Sequence, residues 1–217
     1  MEKQSFSDFC DIIARLRAPG GCPWDREQTH ETLKKHLIEE AYEAYDAISS
    51  GDPEKMADEL GDVLLQIVMH AQIGSDNGEF TIDDVIDAVS NKMINRHPHV
   101  FSDGNAETAE QVLDKWETIK KEERGQHSVY ETMRCITRSL PALKRCDKII
   151  SKASKGGLLE KALDYPDEEP LSVEEEFGKE LFEVCLKMPQ KVADSEAALD
   201  EFLEKFMKKI KNIEENT

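Results

Sequence analysis

The stretch "HLIEEAYEAYDAISSGDPEKMADELGDVLLQ", residues 36–66, is apolar at helical intervals on both sides of one break and carries carboxylates along the same two runs. The break is "SSGDPEK", where Asp52 suits a helix N-cap and Pro53 suits the first helical position, at which a missing N–H costs nothing. The segment therefore reads as two helices joined by a short turn, an antiparallel hairpin. Leu33, Leu37, Ala41, Ala44 and Ile48 form the expected buried stripe of the first helix. Met56, Leu60, Val63, Leu64, Ile67, Val68 and Ala71 form that of the second.

Working outward, Phe6, Phe9, Ile12, Ile13 and Leu16 predict a helix that stops at the loop "APGGCPWD". Thr81 is placed to cap a further helix, "TIDDVIDAVSNKMINR", which "HPHVFSDGNAET" interrupts because proline and glycine are poor in a helix interior. Helices are then expected over about 107–124 and 129–153. A linker-like "SKGGLLEKALDYPDEEPLS" follows, and then a last helical region from about Val173, broken near Pro189. Strand-like alternation is absent, so the fold class is all-α, an antiparallel helical bundle.

Composition agrees with a helix-rich globular chain: of 217 residues, 39% are hydrophobic and 34% charged. A formal net charge of -18 repels phosphate backbones and anionic lipid, which argues against nucleic acid or a membrane surface as partner. It leaves room for a phosphorylated small molecule if divalent cations lie between the two sets of negative charge. No run approaches the roughly 20 apolar residues of a membrane span. Met1 to Cys10 has no basic region leading into an apolar one, so a cytoplasmic location is expected. The scattered Cys10, Cys22, Cys135, Cys146 and Cys185 fit reduced thiols better than a disulfide framework.

Residues three and four apart share a helix face, which groups Glu39, Glu40 and Glu43 on one helix and Glu59 and Asp62 on the next. Antiparallel packing can bring the two groups together at the edge of the helix contact. Two like charges about 4 Å apart cost roughly 1 kcal/mol in water and roughly 4 kcal/mol in a partly enclosed site. Oxygen-liganded Mg²⁺ would offset that cost and keep positions open for phosphates. Spacing alone leaves two readings open, a metal site and a solvated acidic face.

Taken together, "GCPWDREQTHETL", "EEAYEAYDAI", "DELGDVLLQIVMHAQ", "NRHPHVF" and "KWETIKKEER", in this order, resemble the MazG family of nucleoside triphosphate pyrophosphohydrolases over about residues 5–127. The resemblance implies an all-α enzyme with Mg²⁺ as cofactor, Mn²⁺ being an alternative. It implies hydrolysis of nucleoside triphosphates to monophosphate and pyrophosphate, with a house-cleaning or regulatory role, and a homodimer or higher homo-oligomer. Glu40, Glu43, Glu59 and Asp62 match the family's metal ligands, and Glu39 is expected to orient the attacking water. Lys92, Asn95 and Arg96 fall on the family's basic segment, where Asn95 stands in place of a second arginine found in other members. Trp116 and Lys120 fall on a nucleotide-contacting segment. The remaining alternatives are a narrower dUTP or dCTP pyrophosphatase and a non-catalytic nucleotide-binding module.

Trp24 is expected to anchor its loop, and His97 and His99 to lock theirs. In the second half, "VEEEFGKELFEV" resembles a worn copy of "MADELGDVLLQI", with Glu176 matching Glu59 but Lys179 standing in the position of Asp62. The expected organisation is a catalytic domain over 1–127 and a shortened, degenerate second half over 128–217 that binds no catalytic metal.

Overall fold

A computed structural model describes residues 3–166, 169–188 and 194–215. Among them there are helices and no strands, and by internal contacts the chain forms two compact units, Met1–Ala106 and Glu107–Thr217. The all-α reading holds.

The first unit contains α1 (Phe6–Arg17), α2 (Pro23–Glu27), α3 (His30–Ser50), α4 (Pro53–Asn77), α5 (Ile82–Arg96) and the single turn α6 (Pro98–Phe101). Its organising element is the α3/α4 hairpin. Thr29 caps α3, Gly51 closes it at φ 70°, and Asp52 accepts the Glu54 and Lys55 amides at 3.0 and 3.4 Å to begin α4. The left-handed conformation at Gly51 needs a residue without Cβ. Thr81 caps α5 in a capping box with Asp84. The helix boundaries read from these signals are therefore those found, and the loop before Thr29 additionally holds the short α2.

The core lies at one end of the hairpin. Ile13 of α1, Leu33 of α3 and Val68, Met69 and Ile73 of α4 form its buried centre, with Phe9, Leu16, Leu65 and Ile82 packed around them. Because α1 and α5 cover only this end, the buried stripes are shorter than the periodicity suggests. Ile48, at 55% exposure, and Leu60, at 51%, are open, as are Ala41, Leu64 and Ile67, whereas Ala47 is buried instead.

The loop into α2 is anchored by Arg17 and not by Trp24, whose side chain stands 57% exposed. The Arg17 guanidinium donates to the carbonyls of Asp25 and Gln28 at 2.5 and 3.2 Å and to Asp76 Oδ2 at 2.8 Å. One cation thus satisfies two carbonyls at the C-terminal end of α2 and ties the end of α1 to that of α4. His97 Nδ1 lies 2.6 Å from the Met93 carbonyl, which ties the ring to the last turn of α5 and not to the loop it was expected to lock, and His99 Nδ1 is buried with no hydrogen-bond partner among the described residues.

The second unit contains α7 (Ala109–Glu123), α8 (Val129–Arg134), α9 (Ala142–Lys155), α10 (Leu159–Leu163), α11 (Val173–Leu186) and α12 (Ser195–Glu215). The single helix expected over 129–153 is two: α8 already ends at Arg134, with Cys135 as its C-cap, and Pro141, which has no N–H to sit inside a helix, stands at the N-cap of α9. The linker-like segment contains α10, and the break expected at Pro189 lies outside the described residues. In this unit α8, α10, α11 and α12 all pack on α9, around the fully buried Ile150. Asp147 of α9 accepts both the Ser195 amide, at 2.8 Å, and its hydroxyl, at 2.6 Å, fixing the start of α12.

Candidate metal centre

The hairpin places Glu40 and Glu43 on α3 opposite Glu59 on α4, and one carboxylate oxygen from each falls within 4.8 Å of the others. Residues 40 and 43 are one helical turn apart, so both face the partner helix, and the antiparallel return brings residue 59 alongside them. The cluster lies on the stretch of the hairpin that α1 leaves uncovered: Glu43 is exposed, and Glu40 and Glu59 are half-buried.

Partial burial and crowding act on these acids in the same direction. Burial, then the charges of Asp62, Glu43, Glu39 and Glu59, hold the Glu40 carboxyl above the ordinary glutamate range. Burial, then Glu43, Asp58 and Asp62, do the same for Glu59. Asp62 is therefore within electrostatic reach of both. Glu39 is the outlying member: it is exposed, and one of its carboxylate oxygens lies 3.2 Å from His36 Nδ1.

Three carboxylates from two rigid helices, with a fourth nearby, are the oxygen-rich donor set that suits a hard divalent cation. The charge repulsion at Glu40 and Glu59 is what such an ion would relieve, so the residues fit it. Asp58 and His36 are members of the site that the spacing argument does not include. Asp58 is adjacent in sequence to Glu59, and His36 is one turn before Glu39, a spacing that could have revealed it.

The residues expected to meet substrate lie on two other helices. Lys92 and Asn95 are exposed on α5, while Arg96, in its last turn, is buried at 6% exposure. Trp116 and Lys120 lie on α7, in the second unit, with the ammonium 4.9 Å from the indole centroid.

An all-α hairpin that brings Glu40 and Glu43 of one helix together with Glu59 of the returning helix defines a class of acidic helical site. The MazG nucleotide pyrophosphohydrolase domain family model matches residues 28–101, a span that contains the whole α3/α4 hairpin. The chain is 40% identical over 223 residues to the nucleoside triphosphate pyrophosphohydrolase/pyrophosphatase MazG of Thermotoga maritima, a match covering 97% of this chain and 86% of that one. It is 37% identical over 222 residues to the nucleoside triphosphate pyrophosphohydrolase of Escherichia coli K12, covering 94% and 84%. It is also 51% identical over 144 residues to the uncharacterized protein YabN of Bacillus subtilis, where the match covers 66% of this chain and 29% of that longer one. The chain belongs to the MazG family.

Proposed function

We propose that this protein hydrolyses nucleoside triphosphates to nucleoside monophosphate and pyrophosphate, using Mg²⁺, or Mn²⁺ in its place, held by Glu40, Glu43, Glu59 and Asp62. The observation that carries this reading is the convergence of Glu40, Glu43 and Glu59 across the hairpin. The names of the Thermotoga and Escherichia relatives support the reaction class.

When bound, the ion neutralises phosphate charge and lowers the pKa of a coordinated water. The protein's part is positioning. Two capped helices hold the four carboxylates without loop freedom, and Glu39, at the edge of the group, orients and deprotonates the attacking water. Lys92, Asn95 and Arg96 contact the phosphates, and Trp116 and Lys120 contact the nucleotide, the indole by stacking on the base.

The catalytic domain spans 1–127. The degenerate half, 128–217, has Lys179 where a metal-binding acid would stand and serves assembly instead. Ile38, Tyr42, Tyr45, Leu60 and Leu64 are exposed on the hairpin, an apolar surface that supports a homodimer. Among the described residues no helix is long and apolar enough to cross a membrane, and a cytoplasmic house-cleaning or regulatory role fits this reading.

The test is pyrophosphate release from common and deoxy nucleoside triphosphates with Mg²⁺, comparing wild type with Glu40→Gln and Asp62→Asn. Turnover in the wild type, lost in both folded variants, is the expected result. Turnover surviving in both would remove the cluster from the chemistry.

A further inference from the structure

The last helix, α12, is seated on α9 at its start, where Asp147 fixes Ser195 and Glu196 accepts the Lys144 amide at 3.3 Å. Every residue from 198 to 215 is then exposed. A bare helix of this length is marginal in water, because helices in proteins are held mainly by the packing of an apolar face.

Such a face is present on α12. Leu199, Leu203, Phe206, Ile210 and Ile213 recur at steps of four, three, four and three, the heptad spacing of a helix that pairs with another helix. They are between 44% and 62% exposed, and Phe202 and Met207, also exposed, widen the stripe on either side. Covering the stripe on two copies would remove on the order of 1,000 Å² from water, about where a stable interface begins.

Charge selects the helix that fits against it. The first half of α12 carries Glu196, Asp200, Glu201 and Glu204, and the second carries Lys205, Lys208, Lys209 and Lys211 before Glu214 and Glu215. This order suits the dipole of a single helix but does nothing for the apolar stripe. Two antiparallel copies bring the acids of one beside the lysines of the other, whereas two parallel copies bring acid to acid and lysine to lysine. Asp200 and Lys211 are eleven residues apart, almost three whole turns, so they share one flank of the stripe at similar distances on either side of Phe206. About a two-fold axis at Phe206, each therefore meets the other on the second copy.

We propose that α12 pairs antiparallel with α12 of a second copy of this chain, about a two-fold axis beside Phe206. The pairing deepens the assembly role proposed for the second half and gives it a face of its own, separate from the exposed apolar surface of the α3/α4 hairpin. It does not depend on the hydrolytic reading.

The test is the solution mass of the full chain by sedimentation velocity, for wild type, Phe206→Glu, Asp200→Lys, Lys211→Asp and the last two combined. Phe206→Glu sets a carboxylate against its own copy at the axis and should halve the mass at about 20 µM chain. If hairpin faces also pair, the mass falls from tetramer to dimer, and if they do not, from dimer to monomer, so failure of the hairpin reading is distinguishable from failure of this one. Each single charge variant should raise the dissociation constant several-fold, and the combined variant should return it to within about twofold of wild type. That recovery is specific to the antiparallel arrangement and decides the matter even where Phe206→Glu does not fold. A monomeric wild type, or a mass that Phe206→Glu leaves unchanged, overturns the proposal: with a lowered melting temperature the stripe belongs to packing within one chain, and with an unchanged one to a different protein. Charge variants without recovery overturn it as well.

Discussion

His30 at the start of α3 and His70 in α4 face each other Nδ1 to Nδ1 at 2.8 Å, their rings parallel and 5.1 Å apart between centroids. One ring must donate and the other accept, so the contact is lost when both are fully protonated. Burial first, and the neighbouring His30 second, hold His70 below the ordinary histidine value. Phe80 covers the other side of His30, whose Nε2 lies 3.5 Å from Glu79.

A depressed histidine pKa means that the unfolded chain takes up a proton the folded chain resists. Stability should therefore be intact above about pH 6.5, where the unfolded histidine titrates, and should fall as pH drops below it. His70→Phe should flatten that part of the profile. Melting temperatures measured from pH 8 to 5.5 test this, and equal slopes for the two proteins would place the acid sensitivity elsewhere.

The carboxylate cluster makes a prediction of opposite sense. Because the pKa values of Glu40 and Glu59 are raised in the fold, the unfolded chain releases protons first. The cluster thus weakens the fold as pH rises through the carboxylate range and continues to do so at neutrality until a cation arrives. At neutral pH, Mg²⁺ should raise the melting temperature of wild type and leave Glu40→Gln unchanged, while in EDTA Glu40→Gln should melt at or above wild type. Scanning calorimetry with and without Mg²⁺ decides both points.

Arg17 should be a stability residue with no role in chemistry. Its side chain is 8% exposed and satisfies two backbone carbonyls and Asp76. Arg17→Met should cost about 1.5–3 kcal/mol in urea unfolding, the range for hydrogen bonds to a charged group. A loss under about 1 kcal/mol would show that these carbonyls find other donors.

Gly74 is required by close approach and not by backbone angle. A Cβ there would lie 2.8 Å from the Phe80 ring and 2.9 Å from the Phe80 carbonyl oxygen, and backbone on one side leaves little room to relax. Gly74→Ala should destabilise by about 1–3 kcal/mol despite the better helix propensity of alanine. Gly61, in the same helix, is the control: nothing lies within 4 Å of the place a Cβ would take, and there alanine should stabilise slightly.

The five thiols should separate in reactivity. Burial, then the neighbouring Cys185, push the Cys146 thiol up to about 12, and Cys185 is itself buried, whereas Cys135 is exposed. Timed labelling with a thiol reagent on the native protein should modify Cys135 first and spare Cys146 and Cys185 until unfolding.

The hairpin is readable because its signals are local: Asp52-Pro53 begins α4, Gly51 ends α3, and the spacing of Glu40, Glu43 and Glu59 fixes which face they occupy. What eludes the sequence depends on the third dimension. Periodicity marks Leu60 and Ile67 as apolar but cannot reveal that α1 ends before covering them. Trp24 looks like the anchor of its loop because tryptophan is bulky, yet two carbonyls need a donor and Arg17, several residues away in sequence, supplies it. Pro141 lies outside 129–153 in neither direction, and its missing N–H is a local signal that a single helix over that span neglects.

The buried core and the acidic group use different stretches of the same two helices, Leu33 and Met69 at one end and Glu43 and Glu59 toward the other. Mutational drift at the carboxylates therefore leaves the packing that secures the fold untouched. A lineage could trade one ion or one nucleotide for another by changes around Glu43 and Glu59 while every intermediate remained folded, which makes this hairpin a permissive place for new specificities to arise.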